Sequence, residues 1–216
     1  MKRGIFIVAF LAIFSVTSIP LKAQMGKMDD KHVFKTETAG QLRTDLRKLW
    51  EDHAMYTRNV ILNIIDNLPG TDEAVSRLLQ NQVDIGIAIK PIYGSEAGNK
   101  LAELLKEHII IAAELLKAAK ANNDTDFKTI NTKWFRNADD IATFLSAANQ
   151  KYWPLDDMKK MMHDHLDLTT QEAVARLKKD YKADIVAFDK ARAELMEMSD
   201  MLAVGIIKQF PEKFKN

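Results

Sequence analysis

Residues 42–67 read LRTDLRKLWEDHAMYTRNVILNIIDN. Steps of four and three residues from Leu42 pick out Leu46, Leu49, His53, Tyr56, Val60 and Asn63. That spacing places them on one stripe of an α-helix, the stripe that faces a partner helix. His53 interrupts the stripe near its middle. A titratable group set among apolar neighbours is costly to bury unless something pairs with it.

The pattern continues along the chain. Pro69-Gly70 stops the first helix, expected over about Gln41 to Leu68. Thr71-Asp72 opens a second, expected to about Lys90, and Pro91 and Gly94 break it. A third runs from about Glu96 to Ala121, with the stripe Leu101, Leu105, His108, Ala112, Leu115 and Ala119. A fourth, about Thr125 to Ala148, carries Phe127, Ile130, Trp134, Asn137, Ile141 and Phe144. Pro154 suits the first turn of a short fifth helix ending near Asp167. Thr169-Thr170-Gln171-Glu172 has the form of a capping box and is expected to open a long last helix, to about Gln209. The stripe of that helix is a heptad with Asp184 as its polar member. The expectation is an all-α, up-and-down bundle of four long helices and two shorter ones.

The halves of the chain resemble each other. Leu49-Trp50-x-x-His53 aligns with Lys133-Trp134-x-x-Asn137, and the Gln82–Ile85 stretch with His165–Leu168. That spacing suggests a duplicated three-helix unit.

Composition supports this class. The chain has 216 residues, of which 47% are hydrophobic and 28% charged, with only 8 Gly and 5 Pro. That suits one helical domain with a sizeable core. Met1-Lys2-Arg3, an apolar run from Ile5 to Val16 and Leu21-Lys22-Ala23 have the layout of a secretory signal peptide over residues 1–23. The alternative is a retained N-terminal anchor. The expected destination is periplasmic or extracellular. Residues 24–40 are polar and aperiodic and read as a flexible lead-in; the bundle is expected over 41–210 with a tail at 211–216. Removing the leader takes Lys2, Arg3 and Lys22 from the 31 basic residues, against 30 acidic ones, and leaves a net charge near −2. A balance so close to neutral supplies no electrostatic footprint for nucleic acid or an anionic membrane. No stable membrane insertion of the mature chain is expected. The chain has no Cys, so disulfides and thiolate chemistry are excluded.

The candidate site follows from the polar members of the stripes. His53, His108, Asn137 and Asp184 each lie near the middle of a helix, and antiparallel neighbours bring such positions to similar height. Asp84 and His165 or Asp167 are placed to close the site from the second and fifth helices. Two or three His with carboxylates form a ligand set for zinc, iron, manganese or copper. The competing reading is structural: one polar residue at a core position fixes helix register. A ferritin-type di-iron centre needs Glu-x-x-His on helices, and this chain has none. Met158, Met161, Met162, His163 and His165, with Met196, Met198 and Met201, offer thioether and imidazole donors of the kind that suit copper; Met at helical spacing is also ordinary core filling. Haem held by His53 or His108 with a Met is another arrangement a bundle allows, but covalent haem lacks its Cys pair. Arg58, beside His53, reads as surface or as an anion contact.

The segments LWEDHAMYTRNVI, LLQNQVDIGIAIKPIYG, FLSAAN, HLDLTTQEAVARL and GIIKQFPEKF carry a resemblance to a family of exported, all-helical bacterial proteins. It spans about Trp50 to Phe210. It implies the helical fold and export and brings no activity. Some members of that family bear a glycosyltransferase label. Nothing in this chain alternates strand with helix as a nucleotide-sugar domain does. The sequence therefore leaves two functional classes: a metal- or small-ligand-binding module, and an interaction protein whose interior polar residues specify packing.

Overall fold

The computed structural model describes residues 32–216. They form six α-helices: α1 (Glu37–Asp66), α2 (Thr71–Tyr93), α3 (Ser95–Lys120), α4 (Asp124–Ala148), α5 (Leu155–Leu177) and α6 (Tyr181–Gln209). A short 3₁₀ turn, Pro211–Phe214, follows. The all-α bundle expected from the stripes is what the chain forms. Helices α2 and α5 are the two shorter members at 23 residues each, against 25 to 30 for the others. Among the described residues no helix is long and apolar enough to cross a membrane. The leader expected over 1–23 lies outside the described residues.

Each helix packs on the next, and α6 returns to α1, so the six close into a ring. Helix α1 also reaches α3 and α5 across the interior. Ion pairs fix the antiparallel run of α1 against α6: Arg43 and Arg47 meet Asp200, Glu51 meets Arg192 and Arg58 meets Asp184. The larger apolar core gathers Leu46, Trp50, Leu105, Trp134, Ile141, Leu166 and Leu202, among others. A second cluster around Ile61, Ile64, Leu78 and Ile109 fills the opposite end. Each fully buried Leu or Ile contributes about 1.5–3 kcal/mol.

Three boundaries differ from the sequence reading. The first helix begins at Glu37, capped by the Thr36 side chain accepting from Ala39 N–H. The Thr36 hydroxyl also donates to the Phe214 carbonyl at 2.8 Å, and Thr38 N–H donates to the Asn216 carbonyl at 3.0 Å. Residues 36–40 and the expected tail therefore dock on one another, and Ala39 is fully buried. Helix α2 runs on through Pro91 to Tyr93, because only its last turn has to do without the proline's missing N–H.

The third difference concerns α5 and α6. The chain does not break before Thr169; it breaks at Lys178-Lys179-Asp180, with Lys179 in the left-handed region at φ 59. The Asp180 N–H donates to the Ala175 carbonyl, and the Asp180 side chain caps α6 by accepting from Ala183 N–H at 3.0 Å. The apparent capping box lies inside α5. Its Glu172 binds Arg58 on α1 instead of folding back on Thr169.

Candidate functional site: a ring of polar side chains inside the bundle

Each helix contributes a polar residue to one interior level. The set is His53 from α1, Gln82 from α2, His108 from α3, Asn137 from α4, His165 from α5 and Glu194 from α6. The imidazoles belong to a common group: ring centres of His53 and His165 lie 5.9 Å apart, and those of His108 and His165 lie 6.3 Å apart. Trp50 meets the His53 ring edge-on, and Trp134 lies over His108.

Each ring turns Nδ1 toward the neighbouring helix. His108 Nδ1 lies 2.8 Å from Asn137 Oδ1. The Asn137 amide is oriented in turn by its Nδ2, which donates to the Leu104 carbonyl at 3.2 Å. Oδ1 can only accept, so the hydrogen of His108 sits on Nδ1 and Nε2 keeps a bare lone pair. That Nε2 is buried with no hydrogen-bond partner in the protein. Gln82 Nε2, which donates to the Leu78 carbonyl at 2.8 Å and to Asn81 Oδ1 at 3.0 Å, lies 3.3 Å from His53 Nδ1. His165 Nδ1 lies 3.4 Å from Glu194 Oε2, without hydrogen-bond alignment.

Burial sets the charge of these rings. It pushes the His53 imidazole well below its usual range, and the nearby His165 and His108 add to the effect. Burial also takes His108 down to about 3, again with His165 contributing, while the Asn137 contact opposes it. Both are neutral at pH 7. Burial raises the Glu194 carboxyl, and the adjacent His165 only partly offsets this. Both Glu194 carboxylate oxygens are buried without a hydrogen-bond partner in the protein.

The three rings line a cavity of about 50 Å³ that extends between the helices to Tyr93, Ala97 and Trp153. Its walls are otherwise apolar, with Leu46, Ile85, Leu105, Ile141 and Leu202 among them, and no Asp, Glu, Lys or Arg lines it. Trp153, at the far end, packs against Gly205 so closely that a Cβ there would overlap the indole.

Of the residues the sequence singled out, His53, His108, Asn137 and His165 meet. Asp184 does not join them. It is buried at another level, where Arg58 grips it through two bonds of 2.7 and 3.0 Å and Arg176 adds a third at 3.3 Å. Asp84 accepts from Gln80 and faces Arg77 on the exposed side of α2. Asp167 is exposed on α5 near Asp164 and His163, its carboxyl raised first by desolvation and then by Asp164. Met158, Met161 and Met162 are core packing, and His163 pairs with Asp139 at 3.0 Å rather than with a thioether. Arg58 is a buried ion-pair donor, neither surface nor an anion site.

Sequence reasoning missed Gln82 and Glu194 as members of the ring. A signal for Gln82 existed in the expected duplication, whereas Glu194 is recognisable only once the start of α6 is known. Gln82 precedes His165 by 83 residues, and His53 precedes Asn137 by 84. His108 and Glu194 stand at the same position relative to the first residues of α3 and α6, Ser95 and Tyr181. Among the described residues no group of three or more His, Cys, Asp or Glu side chains is arranged to hold a metal ion. No family model, curated protein or solved structure matches the chain, so the site is read from its own geometry.

Proposed function

We propose that the bundle is a binding module for one small neutral ligand, taken into its interior against the imidazole cluster. The observation that carries this reading is His108 Nε2: a buried lone pair with no partner in the protein, on a ring that lines an apolar cavity. An unmet polar group in such surroundings costs about 1–3 kcal/mol, and a ligand that meets it recovers part of that. An apolar cavity with a few convergent polar groups is the ordinary form of a ligand site. The leader-like residues 1–23 add export to the proposal; intact mass of the protein recovered from its host tests that part, and a chain starting at Met1 overturns it.

A transition metal is the second reading. It is favoured by the bracing of His108 through Nδ1, which is how metal-binding imidazoles are oriented. Against it stands the lack, among the described residues, of a group of side chains arranged to hold a metal ion. One experiment separates the readings. Native mass spectrometry and elemental analysis are run on protein purified without chelator or affinity tag. A retained organic mass supports the small ligand, a stoichiometric metal supports the second reading, and an interaction protein retains neither.

A further inference from the structure

Resting on that reading, we infer the chemical class of the ligand: a neutral molecule carrying a hydroxyl group at the end of a short, slender apolar body. The polar end follows from the His108 tautomer. The Leu104 carbonyl orients Asn137, Asn137 puts the hydrogen of His108 on Nδ1, and the unpaired Nε2 calls for a donor. The His53 ring, which can donate from one nitrogen and accept at the other, lines the same cavity, so an oxygen that can also accept suits the cluster better than a pure donor. An amine would have to shed its proton to enter, because no acidic residue lines the cavity; a carboxylate would find no Lys or Arg there. A hydroxyl donates and accepts without charge.

The body follows from the walls. Between the imidazoles and Trp153 the lining is aliphatic and aromatic, with Ile89, Leu101, Phe144 and Ile206 beside those already named. The volume of about 50 Å³ holds only a few non-hydrogen atoms, since one water needs roughly 10–15 Å³ by the same measure. The ligand part seated there is therefore slender and short.

The test uses the whole protein and two probes of similar size, 1-propanol and 1-chloropropane, with Zn²⁺ as a third. Each is titrated while the imidazole nitrogen resonances are followed by ¹⁵N NMR. The expected result is that 1-propanol binds about fivefold more tightly than 1-chloropropane, the worth of one hydrogen bond. Its binding should move the His108 Nε2 resonance upfield while Nδ1 keeps its hydrogen. Equal binding of the two organic probes, or binding of 1-propanol with no change at Nε2, overturns the hydroxyl inference and leaves the ligand-binding reading standing. Response to Zn²⁺ alone replaces both with the metal reading. No response to any probe removes the binding module itself.

Discussion

Two buried polar regions of this bundle were built by opposite means. In one, Arg58 reaches between α5 and α6 and bonds Glu172 at 2.6 Å and Asp184 at 2.7 Å, with its guanidinium over the Phe188 ring. Arg176 closes the group from the other side, joined to both Asp66 and Asp184. Charges there are matched, and the matching holds them in place. In the other, three imidazoles gather with one carboxyl, and His108 Nε2, His165 Nδ1 and both Glu194 oxygens go unmatched. A region that satisfies itself has nothing left to offer a ligand. The difference separates a brace from a site, although both are buried polar clusters on the same helices.

The contrast is broken most severely at its satisfied side. Arg58→Ala leaves Asp184 and Glu172 buried without their cation, and breaking a buried pair in this way costs about 3–5 kcal/mol. Urea unfolding measures it. A loss under 1 kcal/mol would mean that water or Arg176 takes over, and that the cluster is not a brace. Replacing Arg58, Glu172 and Asp184 together by apolar residues of similar volume should cost far less than the single change.

Acid distinguishes the two regions by the window in which each fails. An imidazole whose folded pKa is depressed takes up its proton more readily when unfolded. Its contribution is therefore complete above the unfolded value of 6.5 and is lost as pH falls below it, until the folded value is reached. For His108, with a folded value of about 3, the loss at pH 5 is about 2 kcal/mol, and His53 adds to it in the same direction. Asp184 behaves differently. Burial pushes its carboxyl up, but Arg58 and Arg176 more than reverse this and hold it below 3.8, so its contribution is lost only as pH falls through that lower range. Stability followed by urea unfolding from pH 8 to pH 4 should decline from about pH 6.5. A flat profile down to pH 5 would show that the imidazoles are hydrated or charged in the folded protein.

The acid experiment also exposes what the sequence could and could not convey. The mid-stripe rule found His53, His108 and Asn137 because one polar residue in an apolar stripe is visible at helical spacing. The same rule selected Asp184, which is equally buried, because period alone says nothing about which polar residues share a level. Level depends on where each helix begins, and the start of α6 was misread. With α6 opening at Tyr181 instead of Thr169, Asp184 falls in its first turn and Glu194 near its middle. The six helices themselves were legible because Pro, Gly and Asn punctuate most of the loops. The one break formed by Lys178-Lys179-Asp180 has no such residue and was passed over.

Within the imidazole region, Asn137→Ala tests the orientation on which the lone-pair argument rests. The change strands His108 Nδ1 and removes the side-chain donor from the Leu104 carbonyl, which lies inside α3. The expected cost is about 1–2 kcal/mol by urea unfolding. The sharper readout is the tautomer: freed of Asn137, the His108 hydrogen can exchange between nitrogens, visible in the ¹⁵N spectrum as averaged imidazole resonances. An unchanged Nδ1–H pattern would show that something other than Asn137 sets it.

Glu194→Gln carries the smallest expected effect and the opposite sign. The Glu194 carboxyl is raised chiefly by burial, so its charged form is costly above the folded pKa; the nearby His165 offsets only part of that cost. A raised carboxyl favours folding most fully below the unfolded value of 4.5, and this contribution is lost as pH rises through the folded value. The isosteric amide has no charge to bury and keeps a contact to His165. Stability at pH 8 should therefore rise slightly, by roughly 2–4 °C in Tm for each kcal/mol gained, and little should change at pH 4. The equivalent neutralisation in the other region, Asp184→Asn, should lower stability at pH 8, because there the carboxylate is paired. A Glu194→Gln protein that melts lower at pH 8 would show that Glu194 and His165 form a true ion pair. The imidazole region would then be as self-satisfied as the Arg58 brace, and the distinction between them would fail.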